Sequence, residues 1–106
     1  FLHCSSLTKI EITDSVVSID DNAFMDCQSL QEIVIPYSVT SIGNKVFYGC
    51  KSLQKVEIYS TETTFGYNIF TNCGSLQYIK MPKELYNIRI DDVKKFQKSA
   101  KIILTS

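Results

Sequence analysis

The four cysteines of this chain recur at a single interval, and that interval constrains the fold more than any other feature. They lie 23 residues apart, and each is followed at the same offset by Ser-Leu. The members of this column are Cys4, Cys27, Cys50 and Cys73. Four matching copies without an insertion or deletion indicate an internal repeat, so we interpret the chain as a series of 23-residue units.

Apolar residues keep the same period in four further columns, which we predict to form the core. These columns are Ile10, Ile33, Val56 and Ile79; Ile12, Ile35, Ile58 and Met81; Ile19, Ile42, Phe65 and Ile88; and Phe1, Phe24, Phe47 and Phe70. Within each unit the spacing Leu-x-x-Ile-x-Ile ends in an alternation of period two, which predicts one short strand with polar residues facing outward. Pro36 and Pro82 follow this strand and end it, because proline cannot donate a ladder hydrogen bond.

A single 23-residue unit cannot bury its own apolar face. Stacking the units in register, at the inter-strand spacing of ~4.8 Å, builds a parallel sheet and a continuous core. The sequence therefore predicts a solenoid of about four and a half repeats, made mostly of short parallel strands and turns.

The unit from Cys27 to Cys50 reads Cys-x-Ser-Leu-x-x-Ile-x-Ile-Pro-x-Ser-Val-Thr-Ser-Ile-Gly-x-x-x-Phe-x-x-Cys. It resembles the BspA-like leucine-rich repeat. The resemblance implies a leucine-rich-repeat solenoid with its strands on the concave side, a second extended piece around Val39 to Ile42, and a tight turn or 3₁₀ segment near Phe47. It also implies a secreted or cell-surface protein that takes part in adhesion and binds host or partner proteins.

Some positions depart from the repeat and mark where the stack changes. Glu62 occupies a position that is apolar in the other units, so residues 59–64 are predicted to loop or bulge. The other units have Val16, Val39 and Leu85 there. In the last unit Val93 takes the place of the phenylalanine, and Phe96 takes the place of the cysteine.

The end of the chain is predicted to cap the stack. We assign residues 1–90 to the BspA-like repeats and residues 91–106 to a C-terminal cap within the same domain. Residues 91–98 are predicted to form a short helix, with acidic residues at its start and lysines towards its end. Residues 101–104 return to the strand columns and are predicted to add a fifth, edge strand.

The cysteine column has three interpretations. Neighbouring Cα atoms in stacked coils lie about 5 Å apart, which permits a disulfide. In-register side chains point the same way, however, whereas a disulfide needs converging Cβ vectors. Zinc is disfavoured because there is no Cys-x-x-Cys pair and the only histidine is His3, which we interpret as a turn residue. A structural ladder of buried free thiols is the favoured interpretation; disulfides and metal binding remain alternatives.

Composition and motifs narrow the classes of function. The 11 basic and 11 acidic residues cancel, so no positive field attracts nucleic acid or anionic lipid. The sequence has no apolar run long enough to span a membrane, no phosphate-binding glycine loop, no Gly-x-Ser-x-Gly elbow and no His-Glu-x-x-His motif. The acidic pairs at 20–21 and 91–92 fit turns and a helix start better than calcium ligands. We therefore predict no enzyme activity, cofactor, metal, nucleic-acid partner or membrane insertion.

The outward strand positions supply a candidate partner-binding surface on the concave face. One column contains Lys9, Glu32, Lys55 and Tyr78, and the next contains Glu11, Val34, Glu57 and Lys80. Opposite charges on neighbouring strands stabilise each other by roughly 0.2–1 kcal/mol a pair, so a self-satisfied solvent face is one interpretation. The other is a recognition surface, on which Tyr59 and Tyr78 are candidate aromatic anchors and Tyr37 is expected nearby.

Two functions therefore remain open from the sequence. The first is a protein-recognition or adhesion module whose partner is a protein, such as a host or extracellular-matrix protein. The second is a spacer or stalk without a partner of its own. The truncated repeat at Phe1 also predicts an open N-terminal edge that could pair two copies of the chain.

Overall fold

The secondary structure follows the repeat along the chain. The computed structural model describes residues 6–96 and 99–105. In chain order, the elements are β1 (Lys9–Glu11), β2 (Ser18–Ile19), β3 (Glu32–Ile35), β4 (Ser41–Ile42), β5 (Lys55–Ile58), β6 (Thr64–Phe65), β7 (Tyr78–Pro82), α1 (Lys83–Ile88), α2 (Ile90–Val93) and β8 (Lys101–Thr105).

The strands form two parallel sheets. One has five strands in the order β1-β3-β5-β7-β8, and the other has three in the order β2-β4-β6. The pairing advances by 23 residues at each step, as Ile10 beside Ile33 and Ser18 beside Ser41 illustrate. The short parallel strands predicted from the period are confirmed. The predicted edge strand over 101–104 is also present, and it extends to Thr105 beside Pro82.

A stack of phenylalanine rings runs through the core. The Phe47 ring lies 5.6 Å from that of Phe24 and 5.5 Å from that of Phe70, and each pair is within 5° of parallel. Phe96 ends this stack, because its ring meets Phe70 edge-on at 5.0 Å. The prediction placed Phe96 at the cysteine position of its unit. In the structure this ring packs on the phenylalanine stack and also meets the Phe65 ring edge-on at 5.2 Å.

The corners of the coils repeat as closely as the strands. Residues with positive φ occur at two positions of each unit, and each position recurs every 23 residues. The first position is occupied by Asn22, Lys45 and Asn68, and the second by Asp26, Gly49 and Asn72. Asparagine, aspartate and glycine tolerate this left-handed conformation better than other residues. Asp21 Oδ1 accepts a hydrogen bond from the Asn44 backbone at 2.7 Å, and Asn44 Oδ1 accepts one from the Tyr67 backbone at 2.9 Å. Each corner therefore holds the next one in place.

The irregularity predicted over residues 59–64 is a bend at residues 61–62. Thr63 follows the bend and is fully buried, and its hydroxyl donates a hydrogen bond to the Val39 carbonyl at 2.8 Å. Strand β6 then resumes the 23-residue register beside β4. The departure at Glu62 therefore changes one corner without shifting the stack.

Within the described residues, the helix predicted over residues 91–98 is wrong in its bounds; residues 97 and 98 lie outside the described part of the chain. Helical structure begins at Lys83, directly after Pro82, and α2 ends at Val93. Pro82 ends strand β7 as predicted, and its φ of −62° also suits the residue that precedes a helix. The lysine, glutamate and leucine that follow are strong helix formers, which accounts for the early start.

The early helix also overturns one predicted core position. Leu85 is buried from α1, but Ile88 is 55% exposed. The prediction that Ile88 is buried assumed that the chain is extended at this position in every unit. Positions three apart in a helix lie about 60° apart around its axis, and Ile88, the last residue of α1, lies on the exposed side of that arc.

Arg89 closes the three-stranded sheet at its C-terminal edge. Between β4 and β6, the Thr40 carbonyl accepts a hydrogen bond from the Thr64 backbone N–H at 2.9 Å. The equivalent carbonyl of the next unit, that of Thr63, accepts one from Arg89 Nε at 2.9 Å, and Arg89 Nη2 donates to the Glu62 carbonyl at 3.3 Å. The arginine side chain therefore takes the place of a fourth strand, since the chain is helical there.

Candidate functional site

The outward face of the five-stranded sheet carries the two predicted polar columns. Strand pairing places Lys9, Glu32 and Lys55 side by side, and it continues through Tyr78 to Lys101. The next column runs Glu11, Val34, Glu57 and Lys80 on the same strands. Since side chains alternate across a strand, both columns face away from the buried isoleucines and valines between them.

A groove of about 740 Å³ lies over the N-terminal part of this face. Its lining comprises Lys9, Ile10, Glu11, Ile12, Asp14, Glu32, Ile33, Val34, Pro36, Tyr37, Lys55, Glu57 and Tyr59. Seven of the nine predicted binding residues therefore meet in one groove. The other two, Tyr78 and Lys80, continue the same face on β7 but do not line the groove.

The structure adds residues that the strand pattern did not select. Asp14 and Pro36 line the groove, and Tyr37, which the sequence placed only near the surface, is one of its most exposed members at 68%. Asp14 and Tyr37 occupy one column of the repeat, just beyond the end of the strand. A search for polar or aromatic side chains at the strand ends could have found them.

An ion-pair network crosses three strands at one end of the groove. Glu32 lies between two lysines, with Lys9 Nζ 3.2 Å from Oε2 and Lys55 Nζ 3.8 Å from Oε1. The predicted pairing of opposite charges on neighbouring strands is therefore present in the first column, whereas no ion pair joins Glu57 and Lys80 in the second. Each such exposed pair stabilises the fold by about 0–1 kcal/mol, because water and salt screen it.

Tyr59 and Glu57 form a second polar contact on the groove wall. The Tyr59 hydroxyl donates a hydrogen bond to Glu57 Oε1 at 2.6 Å. This hydrogen bond and the negative charge of Glu57 raise the pKa of the Tyr59 phenol. The phenol therefore stays protonated at neutral pH, and the contact fixes the orientation of an aromatic side chain that is 51% exposed.

The cysteine column is part of the core and is separate from the groove. Cys27, Cys50 and Cys73 are buried free thiols. Cys50 Sγ donates to the Phe24 carbonyl at 3.1 Å, and Cys73 Sγ donates in the same way at 3.0 Å to the Phe one coil back. Burial raises the pKa of both of these thiols to about 12, so they are poor nucleophiles at neutral pH. Cys4 and His3 lie outside the described residues.

Two observations concern metal sites and membrane-spanning segments. Within residues 6–96 and 99–105, no group of three or more His, Cys, Asp or Glu side chains is placed to hold a metal ion. In the same part of the chain, no helix combines the length and the apolar character that crossing a membrane needs.

Comparison with known proteins places the repeat in a family. The family model described as BspA type Leucine rich repeat region matches residues 1–105, in 6 copies. No curated protein and no solved structure matches the chain. The match covers nearly all of the sequence and agrees with the 23-residue register of both sheets, so the chain belongs to the BspA-type leucine-rich-repeat family.

Proposed function

We propose that this chain is a non-enzymatic protein-recognition or adhesion module, and that the groove on the five-stranded sheet is its binding site. In this proposal the repeats form a solenoid, with the groove on its concave side. The parent protein is secreted or displayed at a cell surface, and the partner is a protein, such as a host or extracellular-matrix protein. Membership of the BspA-type family supports this class of function.

One observation supports the groove as the docking site more than any other: it has two exposed tyrosines on its walls. Tyr37 and Tyr59 are 68% and 51% exposed, and both border the same depression. Tyrosine is enriched at protein interfaces because its ring contributes a large apolar area at a low cost in side-chain entropy. The hydrogen bond from Tyr59 to Glu57 lowers that cost further, since one ring is already oriented before a partner binds.

A second candidate function, a spacer without a partner, is favoured by the ion pairs beside the groove. Lys9, Glu32 and Lys55 satisfy one another across three strands and need no external charge. A stalk requires only a polar skin of this kind. The two candidates differ in what the exposed tyrosines do, because a spacer has no use for them.

The test is a binding screen with variants of these tyrosines. The chain is immobilised for biolayer interferometry and exposed to a panel of purified extracellular-matrix and cell-surface proteins. For any protein that binds saturably, we expect Tyr37→Ala/Tyr59→Ala to weaken binding at least tenfold, since interface tyrosines commonly contribute more than ~1.4 kcal/mol each. Tyr67→Ala is the matched control, because Tyr67 is 61% exposed and lies outside the groove.

The outcomes separate the two candidates. Binding that is lost in the double variant and kept in the control supports recognition through the groove. Binding that survives in the double variant contradicts the groove as the site. If a folded, monomeric chain binds nothing in the panel, the spacer is favoured.

A further inference from the structure

The second outward column of the sheet lacks a charge at the step where the first column has a carboxylate between two lysines. In the first column a carboxylate, Glu32, stands between two lysines and pairs with both. In the second column Val34 stands between Glu11 and Glu57. A lysine at position 34 would complete the mirror image of the first column, but the chain has a valine there, and it is 46% exposed.

In the described part of the sheet, the two glutamates beside this valine are not held in ion pairs, although Lys80 lies directly across from Glu57 on the neighbouring strand. Among the residues that the structure describes, neither Glu11 nor Glu57 forms an ion pair. Glu57 uses Oε1 to accept the Tyr59 hydroxyl. Lys80 follows Glu57 in the same column, but its ammonium lies over the Tyr78 ring, 5.9 Å from the ring centre.

The charge of the groove as a whole is unbalanced in the same sense. Its lining contains two lysines and four carboxylates, a formal net charge of minus two, whereas the whole chain is neutral. Both lysines are already engaged by Glu32. The remaining carboxylates of the lining are Glu11 and Glu57, which lie on either side of Val34, and Asp14, which lies beyond the end of β1.

We infer that the partner of this groove inserts a lysine or arginine side chain over Val34, so that its cation lies between Glu11 and Glu57. This inference rests on the proposed function and specifies the chemistry of the partner. Lysine and arginine suit the site because their aliphatic stems pack on apolar surface while the charged head reaches polar groups. The stem lies against Val34 and the Tyr59 ring, and the cation supplies the missing cross-strand charge.

The inference makes a specific claim about one substitution. Val34→Lys places a cation where the partner's cation is expected, and the chain then fills its own site. We expect this variant to unfold at a higher urea concentration than the parent chain, with a difference that shrinks in 1 M sodium chloride because exposed ion pairs are screened. The control is Val34→Gln, which has a side chain of intermediate length without the charge and should lack the salt-sensitive gain.

The binding test uses a displayed library of random nonapeptides as the probe, selected against the folded chain. We expect lysine or arginine to be enriched several-fold at one fixed position of the selected peptides. Their affinity should fall at least tenfold for Val34→Lys and for Glu11→Gln/Glu57→Gln, and it should change much less for Val34→Gln. Circular dichroism confirms that each variant is folded.

Other outcomes overturn the inference in distinguishable ways. Peptides without a basic position that are lost in Tyr37→Ala/Tyr59→Ala refute the cation and leave the groove as a recognition site. Peptides that bind that tyrosine variant as well as the parent chain refute both the inference and the groove. The same conclusion follows if no peptide is selected by the folded chain.

Discussion

Replacing Phe47 by alanine tests whether the stacked rings hold neighbouring coils together. Phe47 is fully buried, and it lies between Phe24 and Phe70 with ring centres 5.6 and 5.5 Å away. Removing a buried phenylalanine side chain costs about 3–5 kcal/mol, because apolar burial is lost and the cavity collapses only partly. A domain of this size is typically stable by about 5–15 kcal/mol, so the variant should lose between about a fifth of its stability and all of it.

The assay is equilibrium unfolding in urea, followed by circular dichroism. With a slope of about 2 kcal/mol per molar urea, a loss of about 4 kcal/mol lowers the midpoint by about 2 M. Phe47→Leu separates volume from ring stacking: it keeps most of the apolar volume, so we expect a loss smaller by about 2 kcal/mol. Tyr67→Ala, on the surface, should change the stability by less than about 0.5 kcal/mol. A loss below about 1 kcal/mol for Phe47→Ala, at an unchanged slope, would refute the reasoning.

Three further predictions follow from other contacts. Arg89→Ala should cost about 1–3 kcal/mol in the same unfolding assay, since it leaves two backbone carbonyls without a charged donor; a loss below about 0.5 kcal/mol contradicts the edge-capping role. Glu32→Gln should cost no more than about 1 kcal/mol, and less in 1 M salt; a larger, salt-independent loss contradicts a screened surface network. Because burial raises the pKa of the Cys50 and Cys73 thiols to about 12, a Cys4→Ser chain should react with Ellman's reagent far more slowly at pH 8 when folded than in guanidinium. Equal rates in the two conditions would show that these thiols are not protected by the fold.

The same thiols make the stability of the folded chain depend on pH. Their pKa in the folded chain lies above the ordinary value of 9.0. The folded state therefore keeps protons that the unfolded state releases, and the contribution of the thiols to stability is complete below pH 9. It should be lost progressively as the pH rises from 9 towards 12.

Much of the fold could be predicted because each coil repeats the same local rule. The predicted column of Ile10, Ile33, Val56 and Ile79 is buried, and its members are paired on neighbouring strands in the 23-residue register. The C-terminal cap was harder to predict because the columns continue through Leu85 and Ile88 while the backbone becomes helical. Leu85 and Ile88 keep the spacing of the earlier units, so the columns alone could not show that the backbone changes from extended to helical.

The candidate site was predictable in part for a related reason. Alternation along the strand identified Lys9, Glu32, Lys55 and the other outward residues, and seven of the nine line the groove. The limits of the groove were not visible, because they depend also on Asp14, Pro36 and Tyr37, which lie beyond the strand ends. Tyr78 satisfies the same alternation, yet it does not line the groove.

The sequence by itself determined the period, the strand register, the inward columns and the burial of the described cysteines, because each follows from which face of a 23-residue coil must avoid water. Tertiary structure decided which outward side chains act together. Whether Glu32 pairs with one lysine or two, and whether Tyr59 turns towards Glu57, depends on distances between side chains on neighbouring coils. Those distances are set only when the coils are stacked. The same stacking places the exposed Val34 between two glutamates.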